Sequence, residues 1–417
     1  MDFRRQLGWV AVAVCAACGG NSTPLANAPG LPASGAGSTP AATTTSGTSG
    51  VAGTSGGAGR APGTTSPATV AAGGGGSGAK TNGAAGTGGS AGHIAMDDSD
   101  AGVSSAGAGS VAPRSTGPGD WMAGDYPDAL DSGNWIEISG VPGQMNMTRQ
   151  YRVHVPPQYD PKTPMPLLFC IHGLGQDGIL FCVDGASMPT KSDAAGFLLV
   201  IPNGYSNSWN AGTCCGDAVT QGLDDVALFR AIFAEVGKHL NIDLTRVYAT
   251  GLSNGGYMSY RLACEASDLF VAVAPGAGAI GMADIGGGTS MTSDIKACTP
   301  TTPVSVLDIH GTDDPLIPFS TQKPSLDRIA MGDSCQGMTH PATQPASMGD
   351  VTCVSYDGCP TGVDVTGCSV KGGGHVWFGS PNCGTGVDAA CSIVGNNSND
   401  IMDTDAVWAF FSAHSRP

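Results

Sequence analysis

The sequence predicts an α/β fold for residues 120–417: one folded domain with a mostly parallel central sheet and helices on both faces. Three observations predict it. Short continuous apolar runs, such as Leu167-Leu168-Phe169-Cys170-Ile171, read as strands buried on both faces. A run of helical period stands between such strands, from Asp225 to Leu240. Polar, glycine-rich segments follow the apolar runs, at the strand ends where open α/β sheets place their sites.

In order, Tyr151 to Val155 alternates as a strand and leads into a proline-rich turn. The run from Leu167 to Ile171 ends in His172-Gly173-Leu174-Gly175, and the run from Phe197 to Ile201 ends in Pro202-Asn203-Gly204. A Gly/Cys-rich loop follows, Ser208 to Gly216. The helix from Asp225 turns Val226, Phe229, Ile232, Phe233 and Val236 to one face, with Asp224 or Asp225 as its cap. Arg246 to Leu252 is a strand and Tyr257 to Cys264 a helix. Phe270 to Ala274, Val304 to Ile309 and Val365 to Val370 are further strands, and Asp403 to Ala413 closes the domain as a helix.

Residues 19–119 are almost wholly Gly, Ala, Ser, Thr and Pro and contain no aromatic residue. Such a segment buries too little apolar surface to offset chain entropy, so it is expected to be a disordered tether. Before it, Arg4 and Arg5 precede a short apolar run, the pattern of an export signal over residues 1–18. Its end, Cys15-Ala16-Ala17-Cys18-Gly19, resembles the lipobox of bacterial lipoproteins, which makes Cys18 the expected lipidation site and a cell-surface anchor the expected partner. The alternative is a plain secretory signal cut near Ala28.

The net charge of −16 falls on the domain, which argues against nucleic acid as a partner. Twelve cysteines lie between Cys170 and Cys391, an even set that reads as disulfides in an exported chain. Candidate pairs are Cys170 with Cys182, Cys353 or Cys359 with Cys368, and Cys383 with Cys391. The adjacent Cys214 and Cys215 are expected to take different partners, one of them Cys264. No tight Cys-x-x-Cys or Cys/His cluster occurs among the twelve, so no metal is expected.

The chemistry centres on Gly251-Leu252-Ser253-Asn254-Gly255. Gly-x-Ser-x-Gly occurs three times, but the matches at Ser55 and Ser90 lie in the tether, without strand or helix. Only Ser253 has a strand before it and a helix after it, the context that pushes a serine hydroxyl out above the sheet as a nucleophile. A serine nucleophile needs a base, and the base needs an acid. Of eight histidines, only His375 follows the last strand, within a glycine run. For the acid, Asp314 is preferred to Asp313, because the Pro315-Leu316-Ile317-Pro318 that follows packs the loop down. The backbone N–H groups of Asn254 and Leu174 are the expected oxyanion donors. Trp209, Trp377 and Phe378 flank strand-edge loops and are candidates for substrate binding, with core packing as the equal alternative.

Several segments together resemble a known group. These are Ser208 to Gly216, Asp224-Asp225-Val226, Thr250 to Gly256, His310-Gly311-Thr312-Asp313-Asp314-Pro315 and Gly372-Gly373-Gly374-His375-Val376-Trp377. In this order they are similar to the feruloyl esterases and polyhydroxybutyrate-depolymerase-like carbohydrate esterases of the α/β-hydrolase superfamily. His172-Gly173-Leu174-Gly175-Gln176 is similar to that family's oxyanion loop. The resemblance implies a secreted, cofactor-free serine esterase with Ser253, Asp314 and His375 as its triad. It departs at Phe378, where the family often has Pro, and in a cysteine-rich loop from Ala330 to Cys368. The expected substrate is a polysaccharide-linked ester, feruloyl xylan first, with a polyester or acetylxylan as alternatives. A tethered binding protein on an inactive hydrolase scaffold is the non-enzyme alternative.

Overall fold

The apolar runs become strands that share one sheet. The computed structural model describes residues 115–130, 132–212, 214–280, 298–381 and 394–417. Cys18, the export signal, most of the tether and the candidate pair Cys383 with Cys391 lie outside the described residues. Eleven strands join in one sheet: β1 (Gly124–Tyr126), β2 (Ile136–Ile138), β3 (Arg149–Val155), β4 (Met165–Ile171), β5 (Leu198–Asn203), β6 (Ile242–Leu252), β7 (Ala272–Gly276), β8 (Ser305–Gly311), β9 (Thr339–Pro341), β10 (Val351–Tyr356) and β11 (Val365–Val370). Their order is β1-β3-β5-β4-β6-β7-β8-β11-β10-β9, with β2 on β3. The six from β5 to β11 pair in parallel. The outer strands pair antiparallel on both sides.

Alternate residues of β4 serve opposite faces, as the two-residue period of a strand requires. Leu167, Phe169 and Ile171 enter a core with the helix α3 (Asp225–His239), through Val226, Leu228, Phe229, Ile232 and Val236. Leu168 and Cys170 enter a second core with α1 (Met188–Ala195) and α6 (Asp403–Ser412), through Met188, Phe410 and Phe411. The start of α3 is fixed by Asp224, whose side chain accepts the Ala227 N–H at 3.0 Å. Three further helices complete the described set: α2 (Gly216–Thr220), α4 (Asn254–Glu265) and α5 (Gln322–Gly332). A π-helical turn spans Ile179–Gly185.

The segment from Ala330 to Cys368 is not a loop. It carries β9, β10 and most of β11, which extend the sheet antiparallel. Cross-strand Cys353 and Cys368 are bonded there, and Cys170 is bonded to Cys182. Two cysteine expectations need correction. Cys214 and Cys215 are bonded to each other instead of to separate partners, and Cys264 is bonded to Cys298. Cys359 takes Cys335.

Candidate active site

Strand β6 runs straight into Ser253, which then begins α4 as its N-cap. Ser253 sits at φ 60°, ψ −122°, a region a non-glycine residue occupies only when its surroundings hold it there. Its N–H donates to the Gly276 carbonyl at 2.9 Å, and its own carbonyl accepts the Tyr257 N–H at 2.9 Å. The flanking glycines answer a close approach: a Cβ on Gly251 or Gly255 would collide with the Ile171 carbonyl oxygen at the end of β4. The turn is thus wedged between β4 and β7.

Two strands away, the loop after β8 and the loop after β11 meet. His375 Nδ1 lies 2.7 Å from Asp314 Oδ2. Asp314 Oδ1 accepts the N–H groups of Leu316 and Ile317, each at 2.8 Å. Both side chains are buried. Burial works against the Asp314 charge, but His375, His310 and these donors outweigh it and hold the carboxyl well below the usual carboxylate range. Asp313 is exposed and, among the described residues, its side chain accepts from Thr312 Oγ1 alone, at 3.1 Å.

The loop after β4 is built by its own side chains. His172 Nδ1 donates to the Gly173 carbonyl at 2.8 Å, and its Nε2 accepts the Gly204 N–H at 2.9 Å. That pattern needs a neutral ring, and burial pushes its pKa down to about 4. Gln176 Oε1 accepts the Gly173 N–H at 3.0 Å. A Cβ on Gly173 would stand 3.4 Å from Ser253 Cβ, so this backbone lies against the serine. Among the described residues the Leu174 N–H donates to no protein group. The Asn254 N–H belongs to the first turn of α4, which an α-helix leaves without an intrahelical acceptor.

Trp209 is corrected from a substrate-binding candidate to scaffold. It is fully buried, its indole N–H donates to the His172 carbonyl at 3.0 Å, and its ring packs on Phe229. Trp377 and Phe378 are also buried, yet both line a cavity of about 300 Å³ between α1 and the start of α6. The Trp377 indole donates to Thr404 Oγ1 at 2.9 Å and meets Phe181 edge-on. Among the described residues no group of three or more His, Cys, Asp or Glu is arranged to hold a metal ion.

Sequence reasoning passed over a group behind the acid. Asp308 is a fully buried carboxyl in β8, accepting from Tyr260 and Gln322, with His310 beside it. A charged residue inside an apolar strand was the available signal, since a buried carboxylate requires partners.

No family model matches the chain. Over 277 residues it is 31% identical to a probable feruloyl esterase C of Aspergillus flavus, covering 64% of this chain and 84% of that one. Over 241 residues it is 30% identical to feruloyl esterase D of Neurospora crassa, covering 55% of this chain and 74% of that one. Among solved structures, an acetyl xylan esterase from Aspergillus awamori is similar at a TM-score of 0.43 and 16% identity, over 58% of this chain and 94% of that one.

Proposed function

Because the chain belongs to the feruloyl esterase family, α/β-hydrolases that cleave carboxylic esters, we propose that it releases hydroxycinnamic acids from plant cell-wall xylan through Ser253, Asp314 and His375. Family membership sets aside the inactive-scaffold alternative. The observation that most supports the triad is the buried His375–Asp314 pair, with Ser253 held on its strained turn and each member following the carboxyl end of a strand.

In this reading Ser253 Oγ attacks the ester carbonyl while His375 Nε2 takes its proton. Asp314 holds the Nδ1–H and so fixes the tautomer and stabilises the imidazolium. The carbonyl electrons move to oxygen, where the N–H groups of Leu174 and Asn254 receive the charge. Collapse expels the sugar alkoxide, which takes the proton from His375. Water, deprotonated by the same histidine, then attacks the acyl-enzyme; Ser253 Oγ leaves, takes that proton back from His375, and the acid is freed. Losing one oxyanion donor is expected to cost about 3 kcal/mol of transition-state stabilisation.

The disulfides fit an oxidising compartment, so the proposed place of work is outside the cytoplasm. An anchor through Cys18 belongs to the same proposal, and intact mass of the mature chain tests it: an acylated N-terminal cysteine supports it, and an unmodified N-terminus beyond residue 18 removes it. For the activity, one sample is offered methyl ferulate, acetylated xylan and hydroxybutyrate oligomers. Ferulate release by the wild type, lost in Ser253→Ala, is the expected result. Equal rates for both proteins remove the triad, and turnover of the oligomers without ferulate release removes the substrate assignment.

A further inference from the structure

A second buried histidine stands behind Asp314. His310, in β8, is fully buried. Its Nε2 lies 2.9 Å from the Ile317 carbonyl oxygen, so that nitrogen carries a hydrogen. The same nitrogen lies 3.4 Å from Asp314 Oδ2. Its Nδ1 lies 4.0 Å from Asp308 Oδ1, and among the described residues it is buried without a hydrogen-bond partner.

Both neighbouring carboxyls are supplied with donors on both oxygens. Asp308 Oδ2 accepts the Tyr260 hydroxyl at 2.6 Å, and Oδ1 accepts Gln322 Nε2 at 2.7 Å. Asp314 accepts Leu316 and Ile317 on Oδ1 and His375 on Oδ2. Donors of this kind favour the ionised carboxylate. A neutral His310 would leave two buried anions, with the Nδ1 lone pair facing one of them. A proton on Nδ1 turns that repulsion into attraction and leaves the cluster with one negative charge fewer, where an unbalanced buried charge is costly.

We propose that His310 is a positioning residue for the reaction: a buried imidazolium between Asp308 and Asp314 that keeps Asp314 ionised and aimed at His375. This rests on the Ser253–Asp314–His375 reading and adds a group that acts through Asp314 without touching substrate. Burial opposes the His310 charge, but Asp314 and Asp308 outweigh it and raise the ring's pKa. Burial likewise pushes the Asp308 carboxyl up, and His310, Tyr260 and Gln322 act against it. The titratable groups around His310 are Asp308 on its own strand, Asp314 and His375 in the two loops, and Tyr260 from α4. The Phe319 ring closes the remaining side edge-on at 5.9 Å and brings no charge.

The test is imidazole-nitrogen NMR on the full-length wild type labelled with ¹⁵N-histidine, with His310 assigned through its contact with Phe319. Both His310 nitrogens are expected to carry hydrogen at pH 8. An unprotonated Nδ1 at that pH overturns the proposal. Kinetics supply the second readout. His310→Gln retains a donor and loses the charge, so the negative charge of Asp314 is left unbalanced in the site. The acid limb of the kcat/KM profile is then expected to move up by about 0.5–1 pH unit. A loss of activity with the limb unmoved overturns the positioning role. Activity that survives Ser253→Ala removes the triad reading instead, and the NMR result on His310 stands apart from that outcome.

Discussion

The side chain of Asn254 grips the backbone of Trp209 from both ends. Its Oδ1 accepts the Trp209 N–H at 2.7 Å, and its Nδ2 donates to the Trp209 carbonyl at 3.0 Å. Trp209 in turn supports the His172 carbonyl. One residue therefore couples the turn that bears the proposed nucleophile to the loop that bears the second proposed oxyanion donor. The side chain of Asn254 thus ties together the two segments whose backbone N–H groups are the proposed oxyanion donors.

Asn254→Ala keeps the backbone donor and removes the grip. The Trp209 N–H is left buried without this acceptor, while the Trp209 carbonyl keeps the N–H groups of Ala211 and Cys215, so the loss is about 1–3 kcal/mol. The urea midpoint is expected to fall, and kcat on methyl ferulate to fall with it while KM changes little. Wild-type kcat in a folded Asn254→Ala protein would show that the tie does not matter.

The two adjacent carboxylates separate cleanly. Asp314→Asn removes the acceptor that holds His375 Nδ1, and kcat/KM is expected to fall by about 10⁴-fold. Asp313→Asn alters an exposed side chain that accepts from Thr312 and leaves the backbone bond to Gly373 in place, so the rate is expected to stay near wild type. Comparable losses in the two variants would unseat Asp314 as the acid.

Strands β4 and β5 were legible because each is built on an unbroken apolar run, and β11 matches its expected span of Val365 to Val370 although Thr366, Gly367 and Ser369 interrupt it. The start of α3 was legible because Asp224 caps it. The antiparallel edges were not. β1, β2 and β9 are three residues each, and β9 is exposed throughout, so no apolar pattern marks them. Among the candidate site residues, Ser253 stood out by local context alone. His310 did not, since its role depends on Asp308, Tyr260 and Gln322, which converge from β8, α4 and α5 only after folding. Trp209 was misplaced for a related reason: an aromatic residue in a glycine-rich loop looks available until the loop folds inward over α3.

The loop that carries Trp209 has a second tie. Asp225 Oδ2 accepts the Asn210 N–H at 2.7 Å, and its Oδ1 pairs with Arg149 at 2.7 Å, both charges buried. Arg149→Met leaves Asp225 buried and unpaired, at an expected loss of about 3–5 kcal/mol. Adding Asp225→Leu removes the stranded charge and is expected to recover part of the loss. A double variant no more stable than Arg149→Met in urea would locate the penalty elsewhere.

Asp333 gives a stability prediction with a definite pH signature. Its Oδ1 accepts the Val304 N–H at 3.3 Å, while its Oδ2 is buried with no hydrogen-bond partner among the described residues. Burial pushes the carboxyl up to about 7, and the single backbone donor is too little to offset it. A carboxyl raised on folding is proton-loaded more readily in the native state than in the unfolded one, so it favours the native state at low pH. That advantage fades as pH rises from about 4 to about 7, and above 7 the full cost of a buried charge is present. At about 1.4 kcal/mol per pH unit, the cost is at most ~4 kcal/mol. Asp333→Asn removes the titration but leaves an amide donor where Oδ2 lacks a partner, so part of the gain is returned. The variant is expected to be more stable than wild type by about 1–3 kcal/mol at pH 8, with the difference shrinking towards pH 4.5. Urea midpoints of both proteins at the two pH values measure it, and because the other carboxyls are common to both, their own pH dependence cancels in the comparison. A difference that stays constant between pH 4.5 and 8 would mean that Asp333 does not titrate in this window.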